Sequence, residues 1–271
     1  MLDRMAPHAH VAQLDTMARF QALYRNFLRR ELFTRYLGSV AGVAWAFAHP
    51  LILLVVYHFV FTTVFKTQRF GDESFLAFVA VALWPWLAAQ EGIQRGATSL
   101  GSYAGLIRKV AFPNEIVVYA SVSATLMLQF AGYLAVLIAL VAYGEPLHLS
   151  GLVVAIPLWM VMAIAIVGIT LALAALQVFI RDVEHFLMPT LMILMYLTPI
   201  LYPLKLVPES MRPWVAMNPF SWLVGRLRAA LIDGRLGFEW GDAIALGVAL
   251  SVFMAGLWVF RRLSPHFEDF V

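Results

Sequence analysis

No Asp, Glu, Lys or Arg occurs between Arg35 and Lys66. A charge-free stretch of that length has few homes in water, and it suffices to cross a hydrocarbon layer with tilt, which takes about 20 residues. The chain therefore reads as a membrane protein. Composition agrees: 62% of its 271 residues are hydrophobic, 13% are charged and the mean hydropathy is +0.81. A soluble domain is nearer half apolar and a quarter charged, so the excess apolar surface must face lipid. The net charge of +3 is modest and reads as loop asymmetry, not as a nucleic-acid footprint.

Six spans are expected: the first between Arg35 and Lys66, then 74–90, 116–143, 149–180, 186–204 and 243–260. Before them, 14–36 has helical periodicity. Met17, Phe20, Tyr24, Phe27 and Leu28 share one face, and Arg19, Arg25, Arg29 and Arg30 share the other. Glu31 interrupts the apolar face, so a bend or an end is expected there. Such a helix suits the membrane interface, or a solvated position against a cytosolic partner. The first forty residues hold many charges and no apolar h-region, so no cleavable signal peptide is expected.

Orientation follows the basic residues of short loops. Arg4, Arg19, Arg25, Arg29, Arg30 and Arg35 precede the first span. Arg95, Arg108 and Lys109 lie between the second and third, Arg181 between the fourth and fifth, and Arg261 and Arg262 after the last. Lys66 and Arg69 stand alone in the short loops of the opposite side. Both termini are therefore expected in the cytoplasm. The division is a cytoplasmic N-terminus over 1–36, one transmembrane domain over 37–262 and a cytoplasmic tail over 263–271.

The stretch 181–234 carries the strongest functional signal. A charged knot, Arg181-Asp182-Val183-Glu184-His185, leads into the fifth span; two short segments cut by prolines follow, 208–217 and 219–232. Asn218-Pro219 reads as a helix cap and first helical residue, and Gly234 as a stop. A helix of about 14 residues is about 21 Å long, short of the hydrocarbon thickness of about 30 Å. The expectation is a re-entrant pair over about 206–234. Arg226 and Arg228 in its second member would meet an anionic group or snorkel to headgroups, with Asn218 at its start. On the cytoplasmic side, a short helix over about 101–112 has Leu106, Ile107 and Val110 as an apolar stripe beside Arg108 and Lys109. It would dock in a partner's groove or lie as an amphipathic loop. Arg181 and Asp182 would pair with each other or touch the same partner.

Other chemistry is sparse. Without cysteine there is no disulfide, thiolate site or Cys nucleophile. There is no GxxxxGK[ST], no HExxH and no GxSxG, and no Asp or Glu falls within the expected spans. Energy for uphill transport would therefore come from another polypeptide. His49 and His58, nine apart, lie on opposite faces of one helix and cannot share a metal; no metal site is expected. Tyr57, Phe61, Tyr196 and Tyr202, with His58, would line a channel and stack on sugar rings, or pack against lipid and core. An intramembrane transferase would need converging acids, whereas Asp72, Glu73, Asp182 and Glu184 scatter over both sides.

Four stretches resemble the permease subunit of ABC-2 type polysaccharide exporters, which serve O-antigen, capsule and teichoic-acid export. They are RELFTRYLGSVAGVAWAFAHPLI from Arg30, with Arg35, Tyr36, Gly42, Trp45 and Pro50; RKVAFPNEI from Arg108; RDVEHFLMPTLMILMYLTPILYP from Arg181; and MNPFSWLVGRLRAAL from Met217. The resemblance covers nearly the whole chain in order. It implies an all-α integral membrane protein with six transmembrane helices, an amphipathic interface helix and a re-entrant pair between the fifth and sixth spans. It further implies a homodimer with two copies of a separate ABC ATPase, which binds ATP and Mg while this chain carries no cofactor and no catalysis. Ser102, Leu106, Arg108, Lys109, Phe112, Arg181, Asp182 and Glu184 would meet that ATPase. The cargo would be a lipid-linked glycan crossing the bacterial inner membrane, O-antigen first; capsular polysaccharide, teichoic acid, a drug or a small lipid are the alternatives.

Overall fold

The computed structural model describes residues 6–34, 44–64, 66, 69–70, 73–110 and 112–270. Among them are ten α-helices: α1 (Ala6–Thr34), α2 (Ala44–Phe59), α3 (Phe75–Ser102), α4 (Ala104–Ile107), α5 (Glu115–Tyr143), α6 (Leu152–Phe179), α7 (Val183–Leu197), α8 (Arg212–Met217), α9 (Pro219–Leu231) and α10 (Trp240–Leu263). A π-helical turn, Val60–Val64, carries α2 onward. Two short strands, β1 (Arg69–Phe70) and β2 (Glu73–Ser74), pair antiparallel just before α3, with Arg69 opposite Ser74.

The third helix is the axis of the bundle. Its start is capped by Ser74, whose Oγ accepts from Leu76 N at 3.2 Å and donates to Glu145 at 2.8 Å, tying it to the turn after α5. Pro85 sits inside α3 and has no N–H to offer the carbonyl of Val81. Tyr133 of α5 fills that gap, its hydroxyl donating to Val81 O at 3.2 Å from a fully buried position. One turn away Trp84 Nε1 donates to Gln129 O at 2.9 Å. The two helices are thus joined by polar contacts placed where a proline leaves one unmet.

Four described segments are long and apolar enough to cross a bilayer: Phe75–Ser102, Glu115–Tyr143, Leu149–Phe179 and Trp240–Phe267. They match the second, third, fourth and sixth expected spans. The fifth is shorter than expected: α7 has 15 residues, about 22 Å at 1.5 Å per residue. For the first span, α2 and its π turn are described; Arg35, Tyr36 and Gly42 lie outside the described residues, as do Asp72 and the side chains of Met17, Trp45, His49 and Pro50. The helix of the second span is longer than expected: it does not stop at Gln90 but continues to Ser102 and carries Glu91 and Arg95. Its 28 residues are about 42 Å long, more than the hydrocarbon thickness of about 30 Å.

Helices α6 and α10 meet backbone to backbone. A Cβ added at Gly256 would strike the carbonyl of Gly168, and one added at Gly168 would lie 2.5 Å from Phe253 Cα. Small residues at such a crossing let two helices approach closely enough for dispersion to hold them without a hydrophobic drive. At one end of the bundle Arg261 of α10 also reaches Glu115 of α5 at 3.3 Å.

The first helix does not end at Glu31. It runs to Thr34 because Glu31 has a partner on its packed face: the Tyr103 hydroxyl donates to it at 2.8 Å. Phe27, 7% exposed, sits edge-on to Tyr103 at 5.2 Å, and Arg30 lies over the same ring at 4.9 Å. Arg19, Arg25, Arg29 and Arg30 are exposed; of the expected apolar face Phe27 is buried, Tyr24 and Leu28 are half-buried, and Phe20 is exposed.

Candidate functional site

Two regions gather the residues singled out above. At the end of the bundle formed by Tyr103, Pro113 and Ile180, α3 stops at Ser102 and the chain makes one helical turn, Ala104–Ile107, before turning at Arg108 and Lys109. The expected helix over 101–112 is thus shorter, and its first two residues belong to α3. Opposite, α6 ends at Phe179 and the chain turns through Arg181 and Asp182 into α7. Between these turns lies a cleft of about 860 Å³.

Ser102, Arg108, Arg181 and Glu184 line this cleft together, although they lie some eighty residues apart in two groups. Gln177, His185 and Phe270 also stand in its wall, and Thr98 of α3 lines it as well. Sequence reasoning missed them. His185 was visible inside the charged knot, but nothing local marks Gln177 or Phe270. Gln177 Nε2 donates to Arg181 O at 3.2 Å and steadies the turn. Among the described residues no ion pair joins Arg181 to Asp182. Asp182 is exposed, and its carbonyl accepts from His185 N at 3.0 Å and Phe186 N at 3.1 Å to start α7. Lys109 is exposed beside the cleft, and Leu106 packs on the core. Phe112 is set apart from the rim by its stack on Phe27 of α1, ring centroids 5.6 Å apart.

The second region is α9 with the segment leading to it. Asn218 caps the helix as read from sequence, its Oδ1 accepting from Phe220 N at 3.0 Å, while its Nδ2 donates to Thr198 Oγ1 at 2.9 Å. Thr198 follows the last residue of α7 and is fully buried. Alongside α3, Phe220 meets Trp86 edge-on at 5.1 Å, while Arg228 lies 3.3 Å from the centre of the Phe78 ring. Eight residues separate the contacts on either helix, so α9 runs antiparallel to α3. Its first residues lie about 16 Å along α3 from Phe75. Its other end reaches the turn after α5, where His148 N donates to Leu231 O at 2.7 Å.

The two arginines of α9 are engaged inside the protein, which corrects their expected place at headgroups. Arg226 is 3% exposed; its Nε and Nη2 each lie 2.9 Å from an Asp242 oxygen, Nη2 also donates to Gly237 O, and Nη1 sits 3.0 Å from Glu239, off the line of a hydrogen bond. Burying a guanidinium is tolerable only with such pairing. Arg228 donates to Phe78 O at 3.1 Å and to Pro199 O and Ile200 O, both at 2.6 Å. Those last two carbonyls belong to the irregular chain after α7, where no helix supplies donors.

The expected channel aromatics divide between α2 and the end of α7. Phe61 stacks on Phe75, ring centroids 4.7 Å apart. Tyr57 is half-buried within electrostatic reach of Tyr196, and His58 is exposed on the neighbouring face. Tyr202 donates to Tyr196 O at 2.6 Å, which folds the chain after α7 back on itself. Apolar side chains stand bare on both helices, including Val55 and Phe59 on α2 and Met192 and Ile193 on α7.

A family model, the ABC-2 type transporter, matches residues 22–232, most of the chain. Among known proteins, an O-antigen export system permease protein RfbA of Myxococcus xanthus is 31% identical over 261 residues, 92% of this chain and 95% of that protein. One of the same name from Klebsiella pneumoniae is 29% identical over 248 residues, 89% of this chain and 91% of its own length. The match takes in the cleft and α9 alike, and with the spanning helices it makes this chain a multi-pass membrane protein of the ABC-2 type transporter family.

Proposed function

We propose that this chain is the transmembrane subunit of an ATP-driven exporter that moves a lipid-linked polysaccharide, O-antigen, across the bacterial inner membrane. Two copies would pair with two ABC ATPase subunits, which bind ATP and Mg. The observation that carries this reading is the end-to-end match to O-antigen export permeases, about nine-tenths of each chain. The basic residues of its short loops support cytoplasmic termini. They also put the cleft of Ser102, Arg108, Arg181 and Glu184 on the side where a cytosolic ATPase would dock, with Leu106, Lys109, Phe112 and Asp182 around it. The helical turn Ala104–Ile107 would dock in a groove of the partner, and the partner's motion would pass into α3 and α7 directly, since both begin or end at the cleft.

The position of α9 supports the re-entrant reading. A helix that starts beside Trp86, well inside the length of a spanning helix, has an end at membrane depth. Irregular backbone is tolerated there only under protein cover, and Asn218, Thr198 and Arg228 supply that cover. Bare apolar faces on α2 and α7 support a second copy at that side, with Tyr57, His58, Phe61, Tyr196 and Tyr202 along the seam as the sugar route.

The test is complementation. In a host lacking its own O-antigen permease, this chain together with its ATPase restores surface O-antigen. The chain alone, or with an ATPase carrying an altered Walker lysine, does not. ATP hydrolysis by the purified chain without a partner would overturn the assignment, as would failure to restore surface glycan with the partner present.

A further inference from the structure

Between Ala88 and Leu100, α3 exposes Arg95, leaves Gln90, Glu91, Gln94 and Thr98 partly exposed, and buries every other residue. At 100° per residue those five share an arc of about 140°. All five are polar. The open faces of α2 and α7 beside it are apolar, as lipid or a copy of the chain demands. Glu91 takes a hydrogen bond from Gln129 Nε2 of α5 and pairs with Arg95 Nε at 2.6 Å. Gln129 is 6% exposed, and its Oε1 is buried without a partner among the described residues. Gln94 Nε2 donates to Met188 Sδ, which sets α7 against part of this face. Glu91 lies about 16 Å up the helix from Ser102. An ion pair and two amides on one side of a helix that crosses the membrane are costly wherever lipid would cover them and mark a path for something polar.

We propose that this face is a hydrogen-bonding track along which the hydroxyl-rich glycan passes on its way from the cytoplasm, with Glu91, fixed by Gln129, as its innermost charged point. The proposal rests on the export reading above. Amides, a hydroxyl and a guanidinium offer donors and acceptors on successive turns, about 5.4 Å apart. The charges of Glu91 and Arg95 cancel locally, so a neutral sugar meets partners at each turn without a single deep trap.

The chain has no cysteine, so Gln90→Cys and Gln94→Cys each introduce the sole thiol. The full permease–ATPase complex is examined in inverted vesicles from cells that make the glycan. A charged, membrane-impermeant thiol reagent labels both positions, and labelling slows severalfold when glycan is loaded and hydrolysis is arrested. Thiols that react with a lipid-soluble reagent alone place the face against lipid and overturn the track. In a second arm, Gln90→Leu with Gln94→Leu lowers surface glycan about tenfold or more, consistent with several lost hydrogen bonds, while the complex still assembles and melts as the unaltered one does. Unchanged surface glycan in that variant overturns the proposal. A wild-type chain that restores no glycan defeats the export reading itself, and that control is read before any variant is compared.

Discussion

Arg226 of α9 grips Asp242 of α10 at two points, Nε on Oδ1 and Nη2 on Oδ2, each at 2.9 Å. The same carboxylate accepts from Glu239 N at 3.0 Å and so closes the start of α10. One side chain therefore both fastens the short helix and begins the last span.

Removing Arg226 leaves the partly buried Asp242 carboxylate without its cation. Arg226→Met is expected to cost about 1.5–3 kcal/mol of stability, as for a lost hydrogen bond to a charged group, read as a lower melting temperature of the purified protein in detergent. Arg226→Met combined with Asp242→Leu recovers much of that loss, because no orphaned charge remains. A double variant no better than the single one would show that the arginine acts by its bulk.

Arg228→Met is expected to free the chain after α7. The carbonyls of Pro199 and Ile200, outside any helix, lose their donor, at about 1 kcal/mol or more each. The expected signature is new protease cleavage within 199–211 in intact vesicles open to the outer face, with α3 and α5 still protected. Arg228→Lys rescues little, since an ammonium cannot match the planar fork. Unaltered cleavage in Arg228→Met would count against the clamp.

Tyr133→Phe deletes the hydroxyl that meets the carbonyl above Pro85. The expected cost is about 1–3 kcal/mol for the orphaned acceptor. Placing Ala at 85 in the same chain restores the helix's own donor and should cancel that loss. The thermal shifts of the two single variants and the double measure this directly.

Charge reversal beside the cleft should weaken docking. Arg108→Glu or Lys109→Glu is expected to weaken capture of the ATPase subunit about tenfold, or 1.4 kcal/mol, and to lower export in step; Lys109→Glu does so with an unchanged melting temperature. Full export and full ATPase binding in both variants would remove these residues from the docking surface.

Local chemistry was readable where a short sequence suffices to dictate it. Asn218-Pro219 capped α9 as its residue types require, and the apolar lengths of α5, α6 and α10 announced themselves. What escaped was long-range pairing. Glu31 looked like a helix breaker because its partner, Tyr103, stands 72 positions away. Gln90 looked like the end of a span because a run of polar residues follows it, but those residues occupy one stripe while the rest of the turn stays buried. Arg226 and Arg228 looked like lipid anchors because neither Asp242 nor the carbonyls of Pro199 and Ile200 lie within a helical turn of them. In the cleft, the basic and charged knots were each visible alone. Their meeting depended on α3 and α6 ending at the same level, which no spacing within either knot encodes.

The crossing of Gly168 with Gly256 fixes what can shift in this molecule. With main chain resting on main chain, α6 and α10 have no side-chain cushion to shear, and sliding one past the other would first have to prise them apart. They form a stator. Any displacement within the bundle must then be taken up where helices meet through side chains, as α3 and α7 do at Gln94 and Met188.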